Sequence, residues 1–152
     1  MADQATERTT IDASPARCFE IATTFEDYPS WARDIKETEV LTRDEEGRGL
    51  EVRYRAAAMG RSTTYVLEYT YDEAPRRLSW RLKEGDIMRQ LDGTYDFAPV
   101  DDDPEVTDVT YELAVELVVP LPGFVKRRAE GRIMHTALRE LKARVEGADA
   151  ST

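Results

Sequence analysis

From Lys36 to Val119 the chain reads as one strand after another, apolar and polar residues alternating with a period of two, and it then changes to a helical period from Pro122 to Glu146. Side chains that alternate in this way put one face of a sheet against a core and the other in water. An order of many strands followed by one long amphipathic helix predicts a curved antiparallel sheet closing around that helix, an α+β arrangement.

The strand faces are specific. Leu50, Val52, Tyr54 and Ala56 alternate with Glu51, Arg53, Arg55 and Ala57. Tyr65, Leu67, Tyr69 and Tyr71 alternate with Val66, Glu68 and Thr70, and Leu78, Trp80 and Leu82 with Ser79, Arg81 and Lys83. Leu91, Tyr95 and Phe97 share a side with Gly93, where a bend or a close approach is expected. Val109, Tyr111, Leu113, Val115 and Leu117 form the clearest alternation in the chain. Six of the seven tyrosines thus fall on the enclosed side. A buried phenol without a partner costs free energy, so this lining suits a wet or ligand-filled cavity better than a dry core.

Turn signals separate the runs: Glu46-Gly47, Met59-Gly60, Ala74-Pro75 and Glu84-Gly85-Asp86. The acidic run from Asp101 to Glu105 lacks the ligand alternation of a calcium loop and is expected at a solvated hairpin tip. Ahead of the strands, the segment from Thr6 to Asp12 alternates weakly and leads into Ser14-Pro15, an N-cap followed by proline in a first helical turn. Cys18, Phe19, Ala22 and Phe25 carry that helix, and Asp27-Tyr28-Pro29-Ser30-Trp31 breaks it before a second short turn ending near Ile35. In the final helix Met134, Ala137, Leu138, Leu141 and Val145 form one apolar stripe facing the sheet. Toward the helix start the same stripe carries Arg127, Glu130 and Gly131, which is read either as a polar pair over the cavity mouth or as a solvated helix end.

Length and charge narrow the function. A chain of 152 residues fits one domain, expected over residues 1–147 with a disordered tail at 148–152. The net charge of −10 repels nucleic acid and anionic surfaces at long range. The sequence has neither a run of the ~18 apolar residues that a membrane span needs nor a signal-peptide pattern at its start, so a cytoplasmic location is expected. One cysteine, Cys18, and one histidine, His135, leave no disulfide, zinc set or histidine-centred triad, and no cofactor is expected. Arginine outnumbers lysine 17 to 4, which is the usage of a GC-rich bacterial genome.

Taken in order, the Ser-Pro helix start, Phe25-Glu26-Asp27-Tyr28-Pro29-Ser30-Trp31, Leu91-Asp92-Gly93-Thr94-Tyr95 and Val119-Pro120-Leu121-Pro122-Gly123 resemble the START-like, Bet v 1-like superfamily over nearly the whole chain. Within it the resemblance is to the bacterial polyketide cyclase/dehydrase and coenzyme Q-binding branch. The resemblance implies a helix-grip fold: a seven-stranded antiparallel sheet around the C-terminal helix, two short helices after the first strand closing one end, and a hydrophobic cavity between sheet and helix. A straight helix meets a curved sheet along one line, so side chains or a ligand must complete the concavity. The expected lining is Tyr54, Tyr65, Tyr69, Trp80, Tyr95, Phe97 and Tyr111 from the sheet, Trp31 from the helix-pair break, and Arg127, Glu130 and Met134 from the long helix. Trp31 fits a lid over the mouth or a plug anchoring the short helices.

Three functions follow from the resemblance. The first is binding of a lipid, quinone or polyketide-like aromatic; the second is a polyketide aromatase/cyclase or dehydratase; the third is a protein-binding module of the ribosome-associated toxin type. Cyclases of the family supply an arginine from the sheet to the pocket, whereas Arg53, Arg55 and Arg81 all fall on the outward face by parity. No catalytic residue is selected by spacing, and the oligomeric state is open.

Overall fold

The computed structural model describes residues 3–58, 61–73, 76–101, 103–118 and 120–150. Met59-Gly60 and Ala74-Pro75, two of the expected turns, lie outside the described residues, as do Asp102 of the acidic run and Val119. Strand β1 (Asp3–Ile11) is followed by α1 (Pro15–Thr23), a single 3₁₀ turn (Phe25–Asp27) and α2 (Tyr28–Trp31). Six strands then run in succession: β2 (Ile35–Arg43), β3 (Gly49–Ala58), β4 (Arg61–Glu73), β5 (Arg76–Gly85), β6 (Met88–Val100) and β7 (Asp103–Leu117). The long helix α3 (Gly123–Ala150) closes the chain and continues past the expected Glu146.

All seven strands form one antiparallel sheet in the order β1-β7-β6-β5-β4-β3-β2. Sequential strands pair as hairpins, and β1 returns to lie beside β7, so the chain's start and its last strand share an edge. Irregular register between Val66 and Leu67, between Met88 and Gln90 and between Pro99 and Val100 marks the bulges by which such a sheet bends. The Glu46-Gly47 turn is built as its residues suggest. Gly47 takes φ 84°, and Asp44 accepts the backbone N–H groups of Glu46 and Arg48 at 2.9 Å each.

Helix α1 starts at Ser14, whose hydroxyl accepts the Arg17 N–H at 3.2 Å, with Pro15 in the first turn. It packs against β5, β6, β7 and α3. Helix α3 packs against β1 and β7, at one side of the sheet. Its buried residues Glu130, Met134, Leu138, Leu141 and Val145 form that contact face. The remaining concavity, under β3 to β7, is left to the cavity.

Candidate ligand-binding cavity

The sheet and α3 enclose a cavity of about 360 Å³, the size of a small organic molecule. Six tyrosines reach it: Tyr54 from β3, Tyr65 and Tyr69 from β4, Tyr95 from β6, Tyr111 from β7, and Tyr28 from α2. Trp80 from β5 and Trp31 from the end of α2 complete the aromatic wall. Leu67, Leu78, Leu91, Leu113 and Leu117 fill the sheet face between the rings.

Period-two alternation explains why the rings line up. Tyr54 lies opposite Tyr65, Tyr69 opposite Trp80, and Tyr95 opposite Tyr111 in the strand registers. Their rings meet across the strands: Tyr54 stacks on Tyr65 with centroids 5.3 Å apart, Tyr69 and Trp80 are 6.2 Å apart, Trp80 and Tyr95 5.2 Å, and Tyr95 and Tyr111 4.8 Å. The hydroxyls of Tyr54 and Tyr69 meet at 2.5 Å. Burial pushes the phenols of Tyr28, Tyr54, Tyr69 and Tyr111 well above their ordinary pKa. Burial raises Tyr65 and Tyr95 too, with a smaller push from the carboxylates of Asp34 and Glu140 respectively. The cavity therefore holds neutral phenols, donors as well as acceptors, across the physiological range.

A charged group stands at one side. Arg132 on α3 holds both carboxylate oxygens of Asp34, with contacts of 3.0 and 3.2 Å, and Glu140 accepts the Arg33 N–H at 3.0 Å. Asp34, Arg132, Glu140 and Arg61 all contribute to the cavity lining. These contacts bridge α3 to the start of β2, across the gap between helix and sheet.

Trp31, Tyr54, Tyr65, Tyr69, Trp80, Tyr95 and Tyr111 stand at the cavity where the alternation and the break between the short helices put them. Four other expected residues do not. Phe97 is buried but packs on Phe19, ring centroids 5.8 Å apart, and Met134 lies on the α3 face turned to β1 and β7. Glu130 is buried at 2 % exposure, and its carboxylate accepts the Leu117 backbone N–H at 2.8 Å, so it secures the end of β7 instead of the cavity mouth. Arg127 is exposed and outside the lining. Tyr71, on the inward parity, donates its hydroxyl to the Gly49 carbonyl beyond the cavity, and Tyr28 takes its place among the six.

Sequence reasoning missed the side of α3 that faces the cavity. Val125, Ala129, Ile133 and Glu140 line it together with Arg132 and Thr136, and Ala137, expected on the Met134 stripe, also reaches the lining. At 100° per residue this stripe lies roughly a third of a turn away from the Met134 stripe. Its mixture of small, polar and charged residues hides it from an apolar criterion. Arg61 shares the inward parity of Tyr65, Leu67 and Tyr69 on β4, as does Thr63, and was missed because the polar start of that strand carries no apolar alternation to mark it.

Among the described residues no cluster of histidine, cysteine, aspartate or glutamate is arranged to hold a metal ion, and no helix is long and apolar enough to cross a membrane. His135 is exposed and pairs with Glu7 on β1, which makes it a surface contact between α3 and the sheet edge.

Among solved structures, the chain is similar to a START superfamily protein from Mycobacterium smegmatis, with TM-score 0.84 and 25% identity over 95% of this chain and 98% of that one. A protein of Thermus thermophilus superposes with TM-score 0.79 at 26% identity, covering 96% and 99% of the two chains. The Zhui aromatase/cyclase of Streptomyces sp. R1128 shares the fold, with TM-score 0.81 at 16% identity over 98% and 94%. No curated protein sequence matches the chain. Residues 2–146 match the family described as polyketide cyclase/dehydrase and lipid transport, and with the helix-grip architecture and its cavity in place, the chain belongs to that family.

Proposed function

We propose that this protein binds a hydrophobic small molecule, a lipid, quinone or polyketide-like aromatic, in the cavity between sheet and α3. The observation that carries the reading is the wall of six tyrosines and two tryptophans around about 360 Å³. Rings stack on ring-shaped or polyunsaturated guests, and phenols exchange hydrogen bonds with guest oxygens. A cytoplasmic carrier or sensor requires nothing more than this. Native mass spectrometry of the purified full chain, followed by extraction and mass analysis of the retained compound, tests it. A one-to-one adduct of such a compound is expected. A bare chain that also fails to bind the neutral probe N-phenylnaphthylamine overturns it.

A second reading, aromatase/cyclase or dehydratase activity in the same cavity, is favoured by Arg61 and Arg132. Both guanidinium-bearing residues contribute to the lining, one from the sheet and one from α3. A guanidinium beside a ketone stabilises the enolate that forms when a poly-β-ketone condenses, and a neutral tyrosine supplies a proton. Turnover of a poly-β-ketone mimic that is lost in Arg61→Ala or Arg132→Ala, and kept in Arg127→Ala, supports catalysis. Turnover indifferent to both cavity arginines removes this mechanism.

A further inference from the structure

The seven tyrosine hydroxyls divide into two sets. Four are answered within the protein: Tyr28 donates to the Ala22 carbonyl, Tyr71 donates to the Gly49 carbonyl, and Tyr54 and Tyr69 bond to each other. Tyr65, Tyr95 and Tyr111 have no hydrogen-bond partner among the described residues, although their side chains are deeply buried, with 7, 8 and 3 % exposure. Their hydroxyls are nevertheless not sealed in by protein. Among the described residues, the one fully covered side-chain nitrogen or oxygen without a partner is the Trp31 indole Nε1, so the three phenol oxygens, equally without a partner, are open. All three residues line the cavity, and the open space beside side chains this deeply buried is the cavity itself.

Their places in the sheet make them a set. Tyr95 and Tyr111 are direct partners across β6 and β7 with rings 4.8 Å apart, yet their hydroxyls do not bond each other, and Tyr65 reaches the same cavity from β4. After burial itself, the Asp34 carboxylate acts on Tyr65 and the Glu140 carboxylate on Tyr95, and the phenols of Tyr95 and Tyr65 act on Tyr111. Asp34 and Glu140 stand on the cavity wall, where Arg132 is held by Asp34. We infer that Tyr65, Tyr95 and Tyr111 are the polar recognition set of the cavity, and that the natural ligand is a neutral ring compound whose carbonyl oxygens accept their protons. The inference rests on the cavity being the ligand site, as proposed above, and separates ligand classes that the aromatic lining alone does not. A hydrocarbon ring or an acyl chain excludes water from these donors and gives them nothing in return. A carboxylate accepts the protons but adds an anion beside Asp34 and Glu140, whereas a ketone or quinone oxygen accepts them without added charge.

Fluorenone and fluorene, of nearly the same shape and differing by a carbonyl in place of a methylene, test this on the full chain. Fluorenone is expected to bind the wild type roughly fivefold more tightly, the net worth of one hydrogen bond, and its ketone stretch should move to lower frequency than in a hydrocarbon solvent. In the triple variant Tyr65→Phe, Tyr95→Phe, Tyr111→Phe the affinity ratio should fall to about one. Because these hydroxyls have no partner in the chain, each single variant without ligand should melt at or above the wild-type denaturant midpoint, and a clear loss of stability overturns the inference by revealing a partner within the protein. Equal binding of the two compounds by the wild type with an unmoved ketone stretch overturns it and leaves the cavity reading intact. A preference that survives in the triple variant overturns it as well. If the triple variant does not fold, the wild-type ratio and the ketone stretch decide. Failure of both compounds to bind counts against the cavity as a ligand site and removes the inference with it.

Discussion

The indole of Trp80 occupies the space in which a side chain on Gly93 would stand: a Cβ built there lies 2.6 Å from Trp80 Cζ2 and 2.5 Å from the Glu112 carbonyl oxygen. The two residues are direct partners across β5 and β6. Glycine thus lets the ring lie over the sheet, where it also stacks near Tyr111 at 6.0 Å. Gly93→Ala is expected to destabilise the protein by about 1–3 kcal/mol through overpacking and to displace Trp80 from the cavity wall. A chemical melt gives the first quantity, and a change in tryptophan emission relative to the wild type reports the second.

The shared hydroxyl contact of Tyr54 and Tyr69 makes their deletions non-additive. Tyr69→Phe leaves the Tyr54 hydroxyl alone in a buried site and is expected to cost about 1–3 kcal/mol. The Tyr54→Phe, Tyr69→Phe double variant removes both groups and should lose less than the two single variants summed. Urea denaturation of the four proteins checks this; strict additivity contradicts it.

Alkaline titration should show phenols that resist ionisation while the fold persists. Burial pushes Tyr71 up to about 12, and the cavity tyrosines further in the same direction. A phenol whose folded pKa exceeds its unfolded value of about 10 contributes stability that is fully present below that pH and is lost as pH rises through the folded value. Phenolate absorbance is therefore expected to appear together with loss of tertiary circular dichroism. Ionisation of most tyrosines near the ordinary value in a folded protein contradicts the burial.

Glu130 should behave as a structural residue. Its carboxylate answers the backbone N–H of Leu117, so Glu130→Ala is expected to cost about 1–3 kcal/mol, and Glu130→Gln less because an amide oxygen still accepts. Affinity for N-phenylnaphthylamine should stay near the wild-type value in both. Binding lost in Glu130→Gln, with stability retained, would return this residue to the cavity.

The contrast between Glu130 and Tyr54 shows how far the sequence could be read. Strand parity places a side chain on a face without ambiguity, because a shift of one residue reverses the whole set, and so Tyr54, Tyr65, Tyr69, Trp80, Tyr95 and Tyr111 were legible as inward. Parity is silent about position along the strand. Tyr71 and Phe97 are on the inward parity yet stand beyond the cavity, near Phe19 of α1. The helical stripe through Met134, Leu138, Leu141 and Val145 was likewise legible as buried, while Glu130 on its continuation was expected at the cavity mouth or a solvated helix end, and a helix in a concave sheet has two inward sides. One packs on β1 and β7; the other, through Ala129 and Ile133, faces the hollow, and Arg132, Thr136 and Glu140 interrupt it so that it does not read as an apolar stripe. The contacts that bridge the gap, Arg132 with Asp34 and Glu140 with the Arg33 N–H, join positions about a hundred residues apart in sequence, which no local pattern connects.

Binding of N-phenylnaphthylamine to Ala137→Phe tests the central claim most directly. Ala137 lines the cavity from α3, and a phenyl ring in its place takes up volume that the guest needs while relieving no packed contact. The account predicts one-to-one binding by the wild type and at least a roughly tenfold weaker affinity in a variant that melts at or above the wild-type denaturant midpoint. Unchanged affinity in the folded variant would place the ligand somewhere other than the hollow between the sheet and α3, and would contradict it.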